Sequence, residues 1–288
     1  MGNAVLRGVS DTALGVAVAR AQETERPNAL FRDPYARSLA GDRGQRIARA
    51  THNRLISTAL AVRTAVFDEL ILRVLAGQPG ARVLNLGAGL DTRPYRLPLP
   101  AELEWVEADL PAILDYKGRH LAAERPRCRL VRRGVDLTDP QARRAVLDDF
   151  GTGRPTLVVC EGLVVYLSPE NVTAMARDLA DRPAFQWWLL DLVGPLFVRW
   201  GNRVIGRQLS AAGASFQFAP QEGAGFFQTL GWKPGEVRSL WLETRRLHRE
   251  PWLMRAAWAL TLPHLRQQYR DLDQIALLAH SPSPLRGR

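Results

Sequence analysis

Residues 81–93 read ARVLNLGAGLDTR, and this stretch decides how the rest of the chain is interpreted. Its first part, residues 82–86, is a short apolar run typical of a β-strand, and the Gly-Ala-Gly of residues 87–89 ends it abruptly. Because neither glycine carries a Cβ, the backbone here can approach a ligand closely. The dinucleotide fingerprint needs a third glycine where this chain has Thr92, so the loop favours a ligand without a pyrophosphate. An ordinary glycine-rich turn between strand and helix stays open as an alternative.

After residue 80 the sequence alternates between strand-type and helix-type segments, which predicts an α/β fold with a mainly parallel sheet. Strands are predicted at residues 83–86, 103–106, 128–132, 156–160, 186–192, 236–242 and 274–280. Helices are predicted at residues 111–121, 140–150, 169–179 and 195–209, with a short one at 223–230. Residues 243–273 are rich in Trp and Arg, and we interpret them as a helical insertion between the last two strands.

The chain before the sheet is predicted to be helical, at residues 12–21, 33–39 and 58–76. The last of these helices has an apolar stripe that includes Phe67, Leu70 and Val74, and Arg63 falls on the same stripe. An arginine on a buried helix face is costly unless an anion meets it. Arg63 therefore either meets an anionic ligand group, snorkels past the end of the stripe or pairs with a structural carboxylate.

Four predicted strand ends carry glycine or a carboxylate. In order along the chain they present Gly87 and Gly89, then Glu107 or Asp109, then Asp136, then Glu161. In an open α/β sheet the ligand lies at the carboxyl ends of the strands, and an acid after the second strand suits the diol of a nucleotide ribose. Both Glu107 and Asp109 have the spacing for that role. Any one acid could instead cap a helix or face solvent. Asp109 is an example, because Pro111 after it could start a helix. The four strand ends together nevertheless predict one shared ligand site.

Three motifs carry a resemblance to a known family: LNLGAGLDTRPYRL at 84–97, WVEADLP at 105–111 and CEGLVVYL at 160–167. In this order they resemble the leucine carboxyl methyltransferase family of S-adenosylmethionine (SAM) enzymes, and within it the bacterial branch with polyketide carboxyl methyltransferases of the tetracenomycin type. The likeness runs from about Gly8 to the end of the chain. It implies a class I SAM-dependent methyltransferase fold, with a Rossmann-like seven-stranded sheet whose strand seven is antiparallel.

The resemblance also implies SAM as the cofactor and a role for each site residue. Asp109 would bind the ribose, Asp136 and the amide of Leu137 the adenine, Arg63 the methionine carboxylate, and Gly87, Gly89 and Glu161 would face the ammonium group. No metal site is expected. Residues 1–78 would form an N-terminal helical cap over the cofactor and residues 79–288 the methyltransferase domain, in a single structural unit.

Composition and charge limit the alternatives. The formal net charge is +10, but only Lys117 and Lys233 are lysines and the arginines are dispersed along the chain, which disfavours a nucleic-acid-binding module. No apolar run reaches the ~20 residues that a membrane span needs, and the N-terminus lacks a signal-peptide pattern. Two cysteines cannot form a disulfide framework. We therefore expect a cytoplasmic protein without a nucleic-acid or membrane partner; its oligomeric state is left open.

The acceptor of the methyl group is the open question of the sequence. A carboxylate with a pKa around 4 is ionised at about pH 7, whereas a phenol near ~10 benefits from a general base. The five histidines fall in no recognisable motif: His52, His120, His248, His264 and His280. The missing base favours methylation of a carboxylate on a small molecule, and a phenol or hydroxyl, or a protein C-terminal carboxylate, stays open. A nicotinamide oxidoreductase is disfavoured by Thr92.

Several residues could serve the acceptor. Arg93, Arg245 and Arg246 could pair with an acceptor carboxylate, although exposure to solvent is the simpler expectation for each. Tyr166 and Trp241 either line the acceptor pocket or only pack. The catalytic residues stay unassigned from the sequence.

Overall fold

The structure is a computed structural model that describes residues 2–51, 54–195, 198, 215–250, 255 and 273–280, with side chains from residue 12 onwards and not for 47–51. Its strands are β1 Arg82–Leu86, β2 Glu104–Asp109, β3 Arg129–Gly134, β4 Thr156–Cys160, β5 Phe185–Val193, β6 Trp232–Ser239 and β7 Asp273–His280. Its α-helices are α1 Gly2–Thr24, α2 Ala36–Thr51, α3 Arg54–Gly77, α4 Arg93–Arg96, α5 Pro111–His120, α6 Pro140–Phe150, α7 Pro169–Ala180 and α8 Leu240–Arg246. Two 3-10 helices span Val164–Tyr166 and Gly223–Leu230.

The seven strands form one sheet in the order β3-β2-β1-β4-β5-β7-β6. The first five are parallel, and β7 runs antiparallel to both β5 and β6. The predicted fold class, including the reversed strand seven, is confirmed. Within the described part of the chain, no helix combines the length and apolar character needed to cross a membrane.

Both faces of the sheet are covered. Alternate residues of the strands point to opposite faces, so that Leu84 and Leu86 of β1 pack with α6 and α7, while Val83 packs with Phe67 and Leu70 of α3. A third cluster joins α1 and α2 to the loop after β1 through Leu14, Leu39, Leu90 and Tyr95. Helix α3 therefore belongs to the central sandwich, and α1 and α2 lie over the end of β1. The division into residues 1–78 and 79–288 stays a prediction.

One strand was predicted in the wrong place. Strand six was expected at residues 236–242, but β6 begins at Trp232 and ends at Ser239, and Leu240 starts α8. The register with β7 shifts between Pro234 and Glu236. Proline, which cannot donate to a ladder, is tolerated here because β6 is the edge strand and carries an irregularity at that point. Most of the predicted helix at 195–209 and most of the insertion at 243–273 lie outside the described residues.

Candidate functional site

The predicted site residues gather at the carboxyl ends of the parallel strands. Leu86 of β1 pairs with Ala108 of β2, and Asn85 pairs with Val159 of β4, so the loops after these strands leave the sheet at one edge. The contact is direct, because the Gly89 N–H donates to Asp109 Oδ2 at 2.6 Å. Asp136 and Leu137 follow β3, whose last residue pairs with Asp109. Because the sequence predicts the cofactor here, we call this edge the cofactor rim.

The two glycines of the loop are needed for different reasons. Gly87 has φ +68°, and a Cβ there would lie 2.9 Å from Leu163 Cδ1. Gly89 has φ +46°, and its nearest neighbour would be Ala13 Cβ at 3.7 Å. Both conformations are strained for residues with a Cβ. Gly87 thus allows the Leu163 side chain to pack closely against the loop. At Gly89 the backbone faces helix α1, and there is room for a Cβ.

The structure separates the two acids of β2. Glu107 is completely buried and binds two cations, Lys117 Nζ at 2.6 Å and Arg132 Nε at 3.0 Å. Asp109 instead accepts two backbone N–H groups, from Gly89 and Leu110, each at 2.6 Å. Burial raises the pKa of Asp109, and these two donors oppose that shift. Glu107 is therefore a structural ion-pair residue, and Asp109 is the acid at the cofactor rim.

Asp136 lies in an exposed turn between β3 and α6. Its Oδ1 accepts the Thr138 N–H at 2.9 Å and the Thr138 hydroxyl at 2.7 Å. Leu137 has a buried side chain, and its carbonyl accepts from Arg143 Nη1 at 3.0 Å. These contacts fix the loop, while the adenine-binding roles of Asp136 and Leu137 stay predictions.

Arg63 lies between two carboxylates. Its Nε donates to Glu161 Oε1 at 3.1 Å and its Nη1 to Asp191 Oδ2 at 2.9 Å. Burial alone would lower the pKa of Arg63, but Asp191 and Glu161 raise it above its ordinary value. The structural-carboxylate alternative is therefore realised. It does not exclude ligand binding, since a guanidinium has five N–H donors and these two bonds use two of them.

Glu161 is shared between two arginines. Besides Arg63 it contacts Arg93 Nη1 at 2.7 Å, and the Thr64 hydroxyl donates to it at 3.3 Å. Burial would raise the pKa of Glu161, but Arg93 and Arg63 lower it below its ordinary value. Glu161 is thus an ionised carboxylate held by cations of the protein, and it could face a ligand ammonium group only as part of this network.

Arg93 was expected to be exposed, and this was wrong. It is 1% exposed, and its guanidinium contacts Asp68 at 2.6 Å, Asp91 at 3.0 Å and Glu161. Its partners come from three separate segments, so sequence spacing gave no signal for them. Arg246, in contrast, is half exposed and pairs with Glu69 and Glu243 at the surface, as expected.

Asp191 and Asp273 are rim residues that the sequence reasoning missed. Asp191 joins Arg63 to the Gly162 N–H, which donates to its Oδ1 at 2.6 Å. A lone acid inside the apolar run of β5 could have signalled it. Asp273 begins β7 and approaches Asp191 across the pair of strands. Nothing in the sequence distinguishes Asp273, because another acid, Asp271, precedes it at the end of the Trp- and Arg-rich insertion.

Of the aromatic and histidine candidates, Tyr166 interacts electrostatically with Arg63 of the network. Its hydroxyl hydrogen-bonds with Thr12 of α1, and burial raises its pKa. Ring nitrogens of His120 and His280 contact the backbone carbonyls of Tyr116 and Ala180. His52 and His264 lie outside the described residues.

Comparison with known proteins gives a consistent result. The model of the family described as leucine carboxyl methyltransferase matches residues 13–180. A protein of Saccharopolyspora erythraea, named "Putative S-adenosyl-L-methionine-dependent methyltransferase", is 38% identical in an alignment 193 residues long that covers 62% of this chain and 66% of that protein. The matched segment thus spans just under two thirds of that relative. A protein of Streptomyces coelicolor with the same description is 30% identical over 91% of this chain and 87% of its own length.

A structural comparison agrees with the fold. A crystal structure of a DUF574 family protein from Streptomyces avermitilis superposes with a TM-score of 0.60 over 94% of this chain and 97% of that one, at 15% identity. At this level of identity the likeness concerns the fold alone.

Proposed function

The chain belongs to the leucine carboxyl methyltransferase family of SAM-dependent enzymes, and we propose that it transfers a methyl group from SAM to an oxygen of a small molecule. The observation that carries this proposal is the direct bond between the glycine loop and Asp109 at the rim that also holds Arg63 and Glu161. The two buried, free cysteines, Cys128 and Cys160, support a cytoplasmic location.

The charged side chains around Arg63 fit the methionine end of SAM. The ion pairs around Arg63 and Arg93 link three guanidinium groups and four carboxylates into one network, which has one excess negative charge. Its members are Arg63, Arg93, Arg96, Asp68, Asp91, Glu161 and Asp191. SAM carries a sulfonium, an ammonium and a carboxylate, hence one net positive charge. The net positive charge of SAM would therefore neutralise the network. One of the remaining N–H donors of Arg63 would bind the carboxylate of SAM.

The nucleoside end fits as well. The two N–H donors on Asp109 hold its carboxylate in place and leave each oxygen a further lone pair for the ribose hydroxyls. Asp136 and the Leu137 amide, one strand further along, would take the adenine. When bound, SAM supplies an activated methyl group; the protein positions the acceptor oxygen in line with the methyl carbon and excludes water.

Two classes of acceptor are compatible with this site. The family description favours a carboxylate, which needs no base. A specific observation favours a hydroxyl or phenol, because such an acceptor benefits from a base: among the described residues, the buried Oδ1 of Asp273, near Asp191, has no hydrogen-bond partner. A protein C-terminal carboxylate is the further alternative within the enzyme class.

We expect label from methyl-labelled SAM to enter small molecules when the protein is incubated with a metabolite extract and a protein lysate together. Filtration through a membrane that retains proteins separates the two fractions before counting. An Asp109→Ala variant is the control for transfer that does not need the site. Label confined to the protein fraction would contradict the small-molecule proposal and would favour a protein carboxylate.

We expect Arg63→Ala to weaken SAM binding at least about tenfold, because a charge-assisted contact of roughly 1.5–3 kcal/mol is removed. Isothermal titration calorimetry measures the dissociation constant. Since Glu161 and Asp191 lose a partner, the melting temperature is measured alongside, and Arg73→Ala at the other end of the same helix is the matched control. Unchanged affinity in folded Arg63→Ala would show that Arg63 is only a structural ion-pair residue.

A further inference from the structure

Asp273 is a carboxyl group that the cofactor-binding roles do not use. Its Oδ1 is buried and has no hydrogen-bond partner among the described residues. Burying such an atom without a partner costs free energy, so an unpaired carboxyl in a site calls for an explanation. The side chain sits at the start of β7, where the strand pairs with Val193 at the end of β5.

The antiparallel direction of β7 brings Asp273 to the cofactor rim. Because β5 is parallel to β1 and β4, its carboxyl end lies at the same edge as Gly87 and Glu161. The first residue of an antiparallel neighbour lies at that edge too. Asp273 is therefore beside Asp191, which holds the arginine proposed to bind the methionine end of SAM.

The other two carboxylates at this end are engaged. Asp191 accepts from Arg63 and from the Gly162 N–H, and Glu161 accepts from Arg63 and contacts Arg93. Neither can take a proton without giving up a cation. Of these three acids, Asp273 is the one without such a bond in the described part of the chain.

The electrostatic surroundings favour proton uptake by Asp273. Burial raises its pKa most, Asp191 on β5 raises it further, and Arg63 on α3 lowers it, with the result that the pKa rises to about 7. On β6 and α8, which also pack against β7, Arg238 and Glu243 pair with each other at 3.6 Å. A base whose pKa lies near the working pH is efficient in proton transfer.

We propose that Asp273 is the general base of this enzyme and that the acceptor is therefore a hydroxyl or phenol. This inference rests on the proposed methyl transfer and narrows its acceptor class. The acceptor O–H proton passes to Asp273 while the acceptor oxygen forms the new C–O bond, and the electrons of the breaking C–S bond stay on sulfur, leaving S-adenosylhomocysteine (SAH). The proton then leaves Asp273 for solvent.

The first test needs no acceptor. Calorimetry of SAM and of SAH near pH 7, each in phosphate and in Tris buffer, gives the number of protons exchanged on binding. The sulfonium charge of SAM would favour ionised Asp273, so we expect SAM to release up to about half a proton more than SAH does. Asp273→Asn should abolish this difference, whereas Asp115→Asn on the exposed face of α5 should preserve it. An undiminished difference in Asp273→Asn would overturn the proposal.

The second test determines the acceptor class and the effect of Asp273 on the rate of methyl transfer. Small-molecule product labelled from methyl-SAM is treated with alkali, which releases methanol from methyl esters and leaves aryl methyl ethers intact. We expect the label to resist alkali and kcat/KM for SAM, which reports the pKa of the free enzyme, to rise with pH through about 7. We expect Asp273→Asn to lose this rise and at least about a hundredfold in rate. Release of methanol, or an unchanged rate and pH profile in the variant, would overturn the base while leaving methyl transfer intact. Absence of SAM binding to the unaltered protein would instead overturn the proposed function.

Discussion

Replacing Asp109 with alanine is expected to lower the affinity for SAM at least about tenfold and to lower methyl transfer at micromolar SAM by a similar factor. Two effects act together. The ribose loses a charge-assisted acceptor, which is worth roughly 1.5–3 kcal/mol. In addition, the Gly89 N–H loses Asp109 Oδ2 and the Leu110 N–H loses Asp109 Oδ1, each an acceptor at 2.6 Å, so the glycine loop loses its anchor. Calorimetry with SAM and with SAH measures the affinity.

An Asp109→Asn variant makes the test more specific. Asparagine has nearly the same shape but one acceptor oxygen, so its NH2 group must face one of the two N–H donors. We therefore expect Asp109→Asn to bind SAM about as poorly as Asp109→Ala, with the fold preserved. Asp115→Ala, an exposed acid six residues further on, is the control and should bind normally. Full affinity in both Asp109 variants would refute the ribose assignment.

The sequence was informative where local chemistry decides the structure. The apolar runs and the breaks after them located β1 to β5 within a few residues, and the glycines and acids at their ends located the rim. The choice between Glu107 and Asp109 could not come from spacing, because both follow the same strand. It depends on Lys117, which reaches back from α5 to Glu107, and on Arg132 of β3.

The remaining parts of the site depend on contacts between distant segments. Arg93 is buried only because Asp68 of α3 and Glu161 after β4 converge on it. Asp273 meets Asp191 only because β7 is inserted between β5 and β6. Tertiary pairing of this kind leaves no periodicity in the sequence. For this reason the sequence gives no indication that this carboxyl group could act as a base.

The same network links binding to stability. Arg63 and Arg93 share Glu161, so a ligand that engages Arg63 acts on a cluster that also holds α3 and the loop after β1 in place. A cationic ligand would offset the excess negative charge of this cluster. Cofactor binding should therefore stabilise the contacts between α3 and the cofactor rim. This stabilisation should exceed what burial of the apolar surface of the cofactor alone would give.

The largest effect on stability is expected for Arg93→Met, which should lower the free energy of unfolding by about 3–5 kcal/mol. Methionine fills much of the volume, but Asp68, Asp91 and Glu161 lose a buried cation, and a broken buried ion pair leaves uncompensated charge. Urea denaturation measures the change. The control is Arg246→Met, which also removes an arginine from two carboxylates but at a half-exposed position, and should cost about 1 kcal/mol or less.

The pH dependence distinguishes lost charge from lost packing. Burial would raise the pKa of Asp91, but Arg93 and other cations lower it well below its ordinary value. A carboxylate with a depressed pKa stabilises the fold above the pKa of the unfolded chain, near 4, and this contribution fades as the pH falls through the folded-state value. Arg93→Met lacks that contribution, so its deficit against the unaltered protein should begin to shrink once the pH falls below about 4. A deficit that is constant with pH would mean that Arg93 stabilises the protein by packing against Phe67, whose ring lies 5.7 Å from the guanidinium carbon, and not by its charge.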